Sequence, residues 1–447
     1  MKFNMSLFEL IFGQQQYVEA SLFGQIIVHM NTIVLSILGA FYTYQLFLNI
    51  FSIFIKSKKF KDTDQLHEYI FVTSARNEET VIAQLITTIR ALDYPQDKIK
   101  IHVIADNCTD RTKEIAESMG GVEVFERFNK VKVGKSYALE HYFDIVLNRE
   151  YSDNFAGFIV VDTDNILDKN YLTEINKTYV EKNANLVASY RASTNMGDSI
   201  WTFGTGYSFL RECTLMHKGR EKLGISSYVS GTGFFVSYAK MKKENGWHAH
   251  TMIEDIEFST AHLYGGDRTY YNHDAIFYDE QPIRFKDSWK QRLRWVKGLF
   301  QVSRLYTWKI FKSIFARKKT LRERASFYES FIFTTPFPAF TIYWFIIYGI
   351  LSFINLAFTH DFTFLLNTYV FTLFDFTFGF FVFSVFMSYI ISFTNWKRIK
   401  MHWFKKLFFP WFALVFMVSY APMFIIAPFK KVEWKPIKHY GLKKPLD

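Results

Sequence analysis

The stretch Phe158-Ile159-Val160-Val161-Asp162-Thr163-Asp164 is an apolar run that stops at two carboxylates with a single residue between them. Four consecutive apolar residues suit a strand covered on both faces of a parallel sheet. Side chains on a strand alternate faces and rise about 3.3 Å per residue, so a strand continued through the acids would put Asp162 and Asp164 on one face, roughly 7 Å apart. A pair so placed wants a cation. A strand running into a solvated turn explains the same letters, because Asp and Asn favour turns for local reasons. A calcium loop is disfavoured, since that pattern needs Gly at its sixth position and Glu at its twelfth, where the chain has Leu167 and Thr173.

Upstream of this stretch the pattern alternates strand, turn and helix. Tyr69 to Thr73 reads as a strand, Glu79 to Leu92 as a helix, and Ile99 to Ala105 as a second strand. A helix from about Arg111 to Met119, capped by Thr109 or Asp110, then leads to Val122 to Phe125, Ser136 to Leu147 and Phe158 to Val161. Such alternation predicts an α/β domain, a mostly parallel sheet with helices on both faces. Ligands of open sheets gather beyond the carboxyl ends of the strands. Three strands there end in polar loops: Ser74-Ala75-Arg76-Asn77-Glu78, Asp106-Asn107-Cys108-Thr109-Asp110 and Asp162-Thr163-Asp164. No G-x-G-x-x-G follows the first strand and no G-x-x-x-x-G-K-[ST] occurs anywhere, which disfavours a dinucleotide fold and a P-loop. Carboxylates with a divalent metal are another means of holding a diphosphate.

The chain of 447 residues exceeds a single typical core. Its 51 Phe gather near the N-terminus and after residue 325, where long apolar runs appear. Residues 1–25 read as an interfacial segment rather than a cleaved signal, because no basic cluster precedes an apolar stretch. Residues 26–55 are uncharged apart from His29 and exceed the about 20 residues a helix needs to cross a bilayer. About three further spans are expected within 331–429, one carrying Asp375, and a basic tail at 430–447. The polar segment 56–288 is large enough to be a domain.

The net charge of +11 raises nucleic acid as a partner, yet its placement favours a lipid bilayer. Lys56, Lys58, Lys59 and Lys61 abut the first span; Lys397, Arg398, Lys400, Lys405 and Lys406 sit between two later ones. Basic flanks mark the cytoplasmic side, so the polar domain is expected in the cytoplasm of an integral plasma-membrane protein. Three spans after the domain would put the Lys-rich tail outside, against that tendency, unless one run is re-entrant. Residues 289–330 are rich in Lys and Arg interleaved with aromatics and read as amphipathic interfacial helices.

Ser230-Gly231-Thr232-Gly233 ahead of an apolar strand reads either as a turn or as a place where backbone lies close to a ligand. Glu254-Asp255 and Glu257 read either as a helix start or as a functional acid cluster. In order, Asp106, Asp162-Thr163-Asp164, Glu254-Asp255 and Gln291-Arg292-Leu293-Arg294-Trp295 resemble the D, D-x-D, E-D, Q-x-x-R-W signature of membrane-embedded processive family 2 glycosyltransferases, the synthases of cellulose, chitin, hyaluronan and poly-N-acetylglucosamine. Four ordered motifs between apolar spans are specific where any one alone is weak.

The resemblance implies a cytoplasmic GT-A domain that uses a UDP-sugar to extend a β-linked glycan with inversion and passes it through the spans. It implies that Ser74, Glu78 and Asp106 border the uridine, that Lys135 approaches the diphosphate, that Asp162 lies by the donor, and that Asp164, with Asp162, holds Mg²⁺ or Mn²⁺. Asp255 matches the general base, beside Glu254. Gln291 and Arg294 would reach the diphosphate, Trp295 would offer a platform to the acceptor sugar, and Gly231, Thr232 and Gly233 match a glycine loop near the acceptor. Ile253 stands where several members have Thr, and Asn129-Lys130-Val131-Lys132-Val133 replaces an Asn-rich turn, which blurs donor and linkage. A membrane enzyme adding one sugar to a lipid or short acceptor is the alternative, and a non-catalytic carrier the third reading. The sugar and the oligomeric state stay open.

Overall fold

The computed structural model describes residues 21–433 and 439–441. Most of the N-terminal interfacial segment, residues 1–20, lies outside them, as do residues 434–438 and 442–447 of the tail. Helix α1 (Leu22–Phe54) opens on the Ser21 hydroxyl, which accepts from the Gly24 N–H. Strand β1 (Glu68–Ala75), α2 (Ile82–Arg90), β2 (Ile99–Asp106), α3 (Thr112–Ser118), β3 (Val122–Arg127), α4 (Lys135–Val146) and β4 (Phe155–Val161) then follow in the expected alternation. Next come β5 (Ile166–Leu167), α5 (Tyr171–Lys182), β6 (Leu186–Ser193), α6 (Ile200–Arg211), α7 (Lys218–Leu223) and β7 (Phe234–Ser237). The domain closes with α8 (Tyr238–Glu244), α9 (Glu254–Tyr264) and β8 (Thr269–Asp279).

The strands form one sheet in the order β3-β2-β1-β4-β7-β6-β8-β5. From β3 to β4 every pairing is parallel, as the alternation predicts. Beyond β4 the sheet is mixed, because β7 pairs antiparallel with both β4 and β6. That pairing needs a close approach at Gly157, whose φ is 152° and where an added Cβ would stand 2.3 Å from the Val236 carbonyl oxygen. Side-chain alternation splits the strands between two cores. Ile70, Val72, Phe158 and Val160 pack with α4 and α6, while Tyr69, Phe71, Ile159 and Val161 pack with α2 and α5. Both faces of the central strands are therefore dry, which is why these strands read as continuous apolar runs.

After the sheet, α10 (Phe285–Ile314) is amphipathic: Ser288, Arg292, Leu293, Val296, Val302 and Ile310 form its buried stripe. It packs against α11 (Leu321–Thr334), which starts in a capping box of Thr320 and Glu323. Among the described residues four helical stretches are long and apolar enough to cross a membrane: Leu22–Phe54, Phe337–Thr359, Phe362–Thr394 and Trp403–Ile426. We label Phe337–Thr359 α12 and the main part of the third, Phe371–Thr394, α13. The fourth is broken by a 3₁₀ turn at Phe409–Phe412, which contains Pro410. Outward-facing Ile33, Phe47, Ile350 and Phe386 are exposed, as lipid contact would have them.

Membrane helices and sheet share contacts. Met387 and Ile391 of α13 belong to the same core as Phe203 and Tyr207 of α6. The Tyr190 hydroxyl on β6 donates to Asn395 Oδ1 at 2.7 Å. At the other junction, Arg220 of α7 and Glu329 of α11 form a fully buried ion pair with an Nε to Oε2 distance of 3.1 Å.

Candidate active site

Strand β4 ends at Val161, so Asp162 and Asp164 are not successive same-face strand residues; they sit on the turn beyond it. Of the two readings of this stretch, a strand continued through the acids and a turn beyond the strand, the structure has the turn. Its shape is fixed from several sides. The Asp162 N–H donates to Thr232 Oγ1 at 2.7 Å, Asn165 N–H donates to the Asp162 carbonyl at 3.1 Å, and the Glu280 N–H donates to Asp164 Oδ2 at 2.9 Å. Burial raises the Asp164 carboxyl above the ordinary aspartate range, opposed by the cationic His439 and reinforced by Asp162.

Neighbouring strand ends supply the rest of this edge. Asp106 closes β2 and is buried against the Arg127 guanidinium from β3. Lys135 is the first residue of α4, and its ammonium bridges the Asp162 carboxylate and the Gly231 carbonyl, the latter at 2.8 Å. The carboxyl end of β8 adds Asp279, which pairs with Arg191. Burial raises Asp279 to about 6, against the lowering influence of Arg191.

The acid pair Glu254 and Asp255 opens α9, where the helix dipole favours anions. Burial, reinforced by the adjacent Asp255 charge, lifts Glu254 to about 7. Burial also raises Asp255, opposed by the Ile256 and Gly231 backbone N–H groups and by Lys135. The loop leading into this pair is pressed against α10: a Cβ at Gly298 would stand 2.8 Å from the Ile253 backbone nitrogen.

On α10 the sequence Gln291-Arg292-Leu293-Arg294-Trp295 splits by helical phase. Arg292 points away from the acids and is fully buried, donating to Ser419 Oγ at 2.5 Å and lying 4.5 Å from the Phe416 ring centroid and 4.9 Å from that of Tyr420. It anchors α10 to the fourth apolar stretch. Gln291, Arg294 and Trp295 face the opposite way. Arg294 Nε and Gln291 Oε1 are buried without a hydrogen-bond partner in the protein. Buried polar atoms left in that condition cost free energy unless a ligand or water meets them.

These groups line one cavity of about 540 Å³. Ser74, Glu78, Asp106, Lys135, Asp162 and Asp164 reach it from the strand ends and the start of α4; Gly231, Glu254 and Asp255 from the loop before β7 and the start of α9; and Gln291, Arg294 and Trp295 from α10. Thr232 and Gly233 are not part of its lining. Thr232 is buried behind the turn as the acceptor for the Asp162 N–H, and a Cβ at Gly233 would overlap the Phe277 ring at 2.3 Å. The cavity continues to α1, α11 and α12 through Gln45, Asn49, Phe333, Thr335 and Pro338.

Sequence reasoning missed several lining residues. Arg211 and Glu212 stand where α6 passes into a π-helical turn, Glu212–His217, a distortion that occurs often at functional sites. Burial raises the Glu212 carboxyl, opposed by Arg211 and Arg191 and reinforced by Asp255. No local pattern marks such a turn. His439 reaches the far rim from the tail; burial opposes its protonation, but Asp164 and Glu78 outweigh burial and hold it at about 10.

Among the described residues no cluster of three or more His, Cys, Asp or Glu side chains could hold a metal alone. Mg²⁺ usually takes one or two carboxylates and completes its shell with substrate phosphates and water. Asp164 and Asp162 are the side chains suited to that share.

Comparison with known proteins follows the same lines. The sequence model described as Glycosyl transferase family group 2 matches residues 157–427, and that of Glycosyl transferase family 2 matches residues 70–243. A probable glycosyltransferase, YdaM of Bacillus subtilis, is 27% identical over 237 residues, 50% of this chain and 53% of that protein. A Nostoc beta-monoglucosyldiacylglycerol synthase is 27% identical over 261 residues, 56% of this chain and 52% of that one. The poly-beta-1,6-N-acetyl-D-glucosamine synthase of Staphylococcus epidermidis is 24% identical over 282 residues, 59% of this chain and 64% of that protein. The chain thus spans about half the length of the first two relatives. In fold it is similar to the mannosyltransferase PcManGT of Pyrobaculum calidifontis, solved with GDP-Man and Mn²⁺, with 16% identity, a TM-score of 0.52, and coverage of 77% of this chain and 94% of that one. The architecture is a mixed α/β open sheet of the GT-A type, and the chain belongs to glycosyl transferase family group 2.

Proposed function

We propose that the protein transfers a sugar from a UDP-sugar to a growing β-linked glycan, with inversion, at the membrane end of its cavity. The observation that carries this reading is the convergence of Asp162, Asp164, Lys135, Asp255 and the unpartnered Arg294 and Gln291 atoms on one space. In this reading Asp255 takes the proton of the acceptor hydroxyl as its oxygen bonds to the anomeric carbon, and the bond from that carbon to the diphosphate breaks on the opposite face. Lys135 and Arg294 offset the charge that collects on the departing UDP; the planar Arg294 fork suits two phosphate oxygens at once. A Mg²⁺ or Mn²⁺ bound with the donor at Asp164 and Asp162 would supply Lewis-acid stabilisation of the same leaving group. Trp295 gives the acceptor an apolar face. The basic residues flanking α1 support a cytoplasmic position for the sheet domain at a plasma membrane.

A second reading, one sugar added to a lipid, is favoured by the apolar walls at Phe333, Pro338 and Phe424, where the cavity meets the membrane helices. The deciding experiment uses the full chain in nanodiscs with a panel of UDP- and GDP-sugars and Mg²⁺ or Mn²⁺. UDP release with a ladder of products carries the first reading, and a strict single addition carries the second. No nucleotide release with any donor would overturn both.

The acid pair fixes the sign of a pH effect. The base acts deprotonated and burial has raised both carboxyls, so activity is lost as pH falls through the apparent pKa of the pair. We expect kcat/KM to rise from about pH 5 and level off by about pH 8. Glu254→Gln removes the adjacent negative charge and should move the midpoint to lower pH. A profile flat across that interval would exclude this assignment.

A further inference from the structure

Helix α6 runs without a break through the π-helical turn Glu212–His217 into α7. Ser208, Glu212 and Met216, spaced by four residues, share the stripe of this rod that lines the cavity, while Cys213, Leu215 and His217 are buried behind it. Phe209 flanks the stripe. Its ring centroid lies 6.0 Å from that of Trp295 on α10 and 3.6 Å from the Arg191 guanidinium carbon. Glu212 therefore follows by one helical turn, about 5.4 Å, the ring that packs against the tryptophan to which the acceptor platform is assigned above.

The Glu212 carboxylate has no task in the fold. Among the described residues it accepts no hydrogen bond and joins no ion pair, although burial raises its carboxyl. A desolvated carboxylate left unmet costs free energy, and ligand hydroxyls would meet it in charge-assisted bonds. Charge decides which ligand. Of the cations that bear on Glu212, Arg191 is spent on Asp279 and Arg220 on Glu329. That leaves Arg211 before three carboxyls of the cavity wall, Glu212, Glu254 and Asp255. An acceptor with phosphate or carboxylate at its reacting end meets like charge there, whereas an uncharged end rich in hydroxyls finds oxygens to receive its O–H groups.

We propose, resting on the site reading above, that Glu212 is an acceptor-binding residue: beside Trp295 its carboxylate takes hydrogen bonds from hydroxyls of an uncharged, vicinal-diol acceptor end and selects against an anionic one. The ordered motifs do not contain this residue. Its effect follows the charge of the residue and of the acceptor together, which a packing role would not produce.

The test uses the full chain in nanodiscs at pH 8 with the donor that gives nucleotide release. The acceptor probes are the octyl β-glycosides of glucose and N-acetylglucosamine and their 3- and 6-phosphates, at least one of which leaves the reacting hydroxyl free. Glu212→Gln should raise KM for the neutral glycoside roughly tenfold or more, the scale of one charge-assisted hydrogen bond, with KM for the donor within about threefold of the parent. The parent's preference in kcat/KM for the neutral glycoside over its phosphate should fall by about tenfold in the same variant. Glu212→Ala, which removes the amide as well, should do the same on both counts. A neutral-glycoside KM unchanged in both variants, a preference untouched by loss of the charge, donor and acceptor constants weakened together, or a parent that neither glycoside accelerates would each overturn the proposal. No nucleotide release from any donor, with or without glycoside, removes the site reading itself, and this proposal with it.

Discussion

Asp255→Asn is expected to lower sugar transfer by about 10²–10⁴-fold, the range for loss of a positioned general base. The substitution keeps the shape and the α9 N-terminal position while removing the proton acceptor. UDP affinity should hold, because the role proposed for Asp255 is toward the acceptor, while the diphosphate contacts proposed above are Lys135 and Arg294. Radiolabelled sugar incorporation, read beside UDP binding, separates the two. A rate within about threefold of the parent would dismiss Asp255 as the base and turn attention to Glu254 or Glu212.

Glu329→Ala is expected to cost about 3–5 kcal/mol, because it strands the Arg220 guanidinium without its partner in a buried site. Arg220 also lies 5.2 Å from the Tyr228 ring centroid, at the edge of the cavity, so its displacement reaches the site wall. Thermal unfolding in detergent should show the loss. The double variant Arg220→Leu/Glu329→Leu should recover much of it, since apolar replacement of both partners of a buried pair is often neutral or better. A double variant as unstable as Glu329→Ala would mean the pair holds the junction through its charges.

What was legible in the sequence was local or repetitive. The parallel half of the sheet announced itself in apolar runs between helical periods, and the polar loops after β1, β2 and β4 do meet at one edge. The antiparallel entry of β7 was not legible: it depends on pairing with β4, some 75 residues away, and on the close approach at Gly157. Thr232 reads as ligand-facing in a glycine-rich loop, yet its hydroxyl is spent on the Asp162 backbone, a choice made by tertiary contact alone. Within Gln291-Arg292-Leu293-Arg294-Trp295 the 100° step of a helix separates Arg292 from its neighbours, and only the packing partner reveals which arginine faces the cavity. Glu212 and His439 carry no pattern at all; the first depends on a π turn and the second on a contact across most of the chain.

The Arg292 anchor bears on where this chain can be cut. A fragment ending ahead of α11 would keep the sheet, yet it would lose Met387 and Ile391 from one of its two cores, and Ser419, Phe416 and Tyr420 from around the Arg292 guanidinium, leaving α10 without its seat. The same rod carries Gln291, Arg294 and Trp295 into the cavity, so the orientation of all three would go with it. The smallest excisable piece able to react is therefore not the sheet domain that the chain's polarity marks out, but one that extends through the last apolar stretch to Ile426.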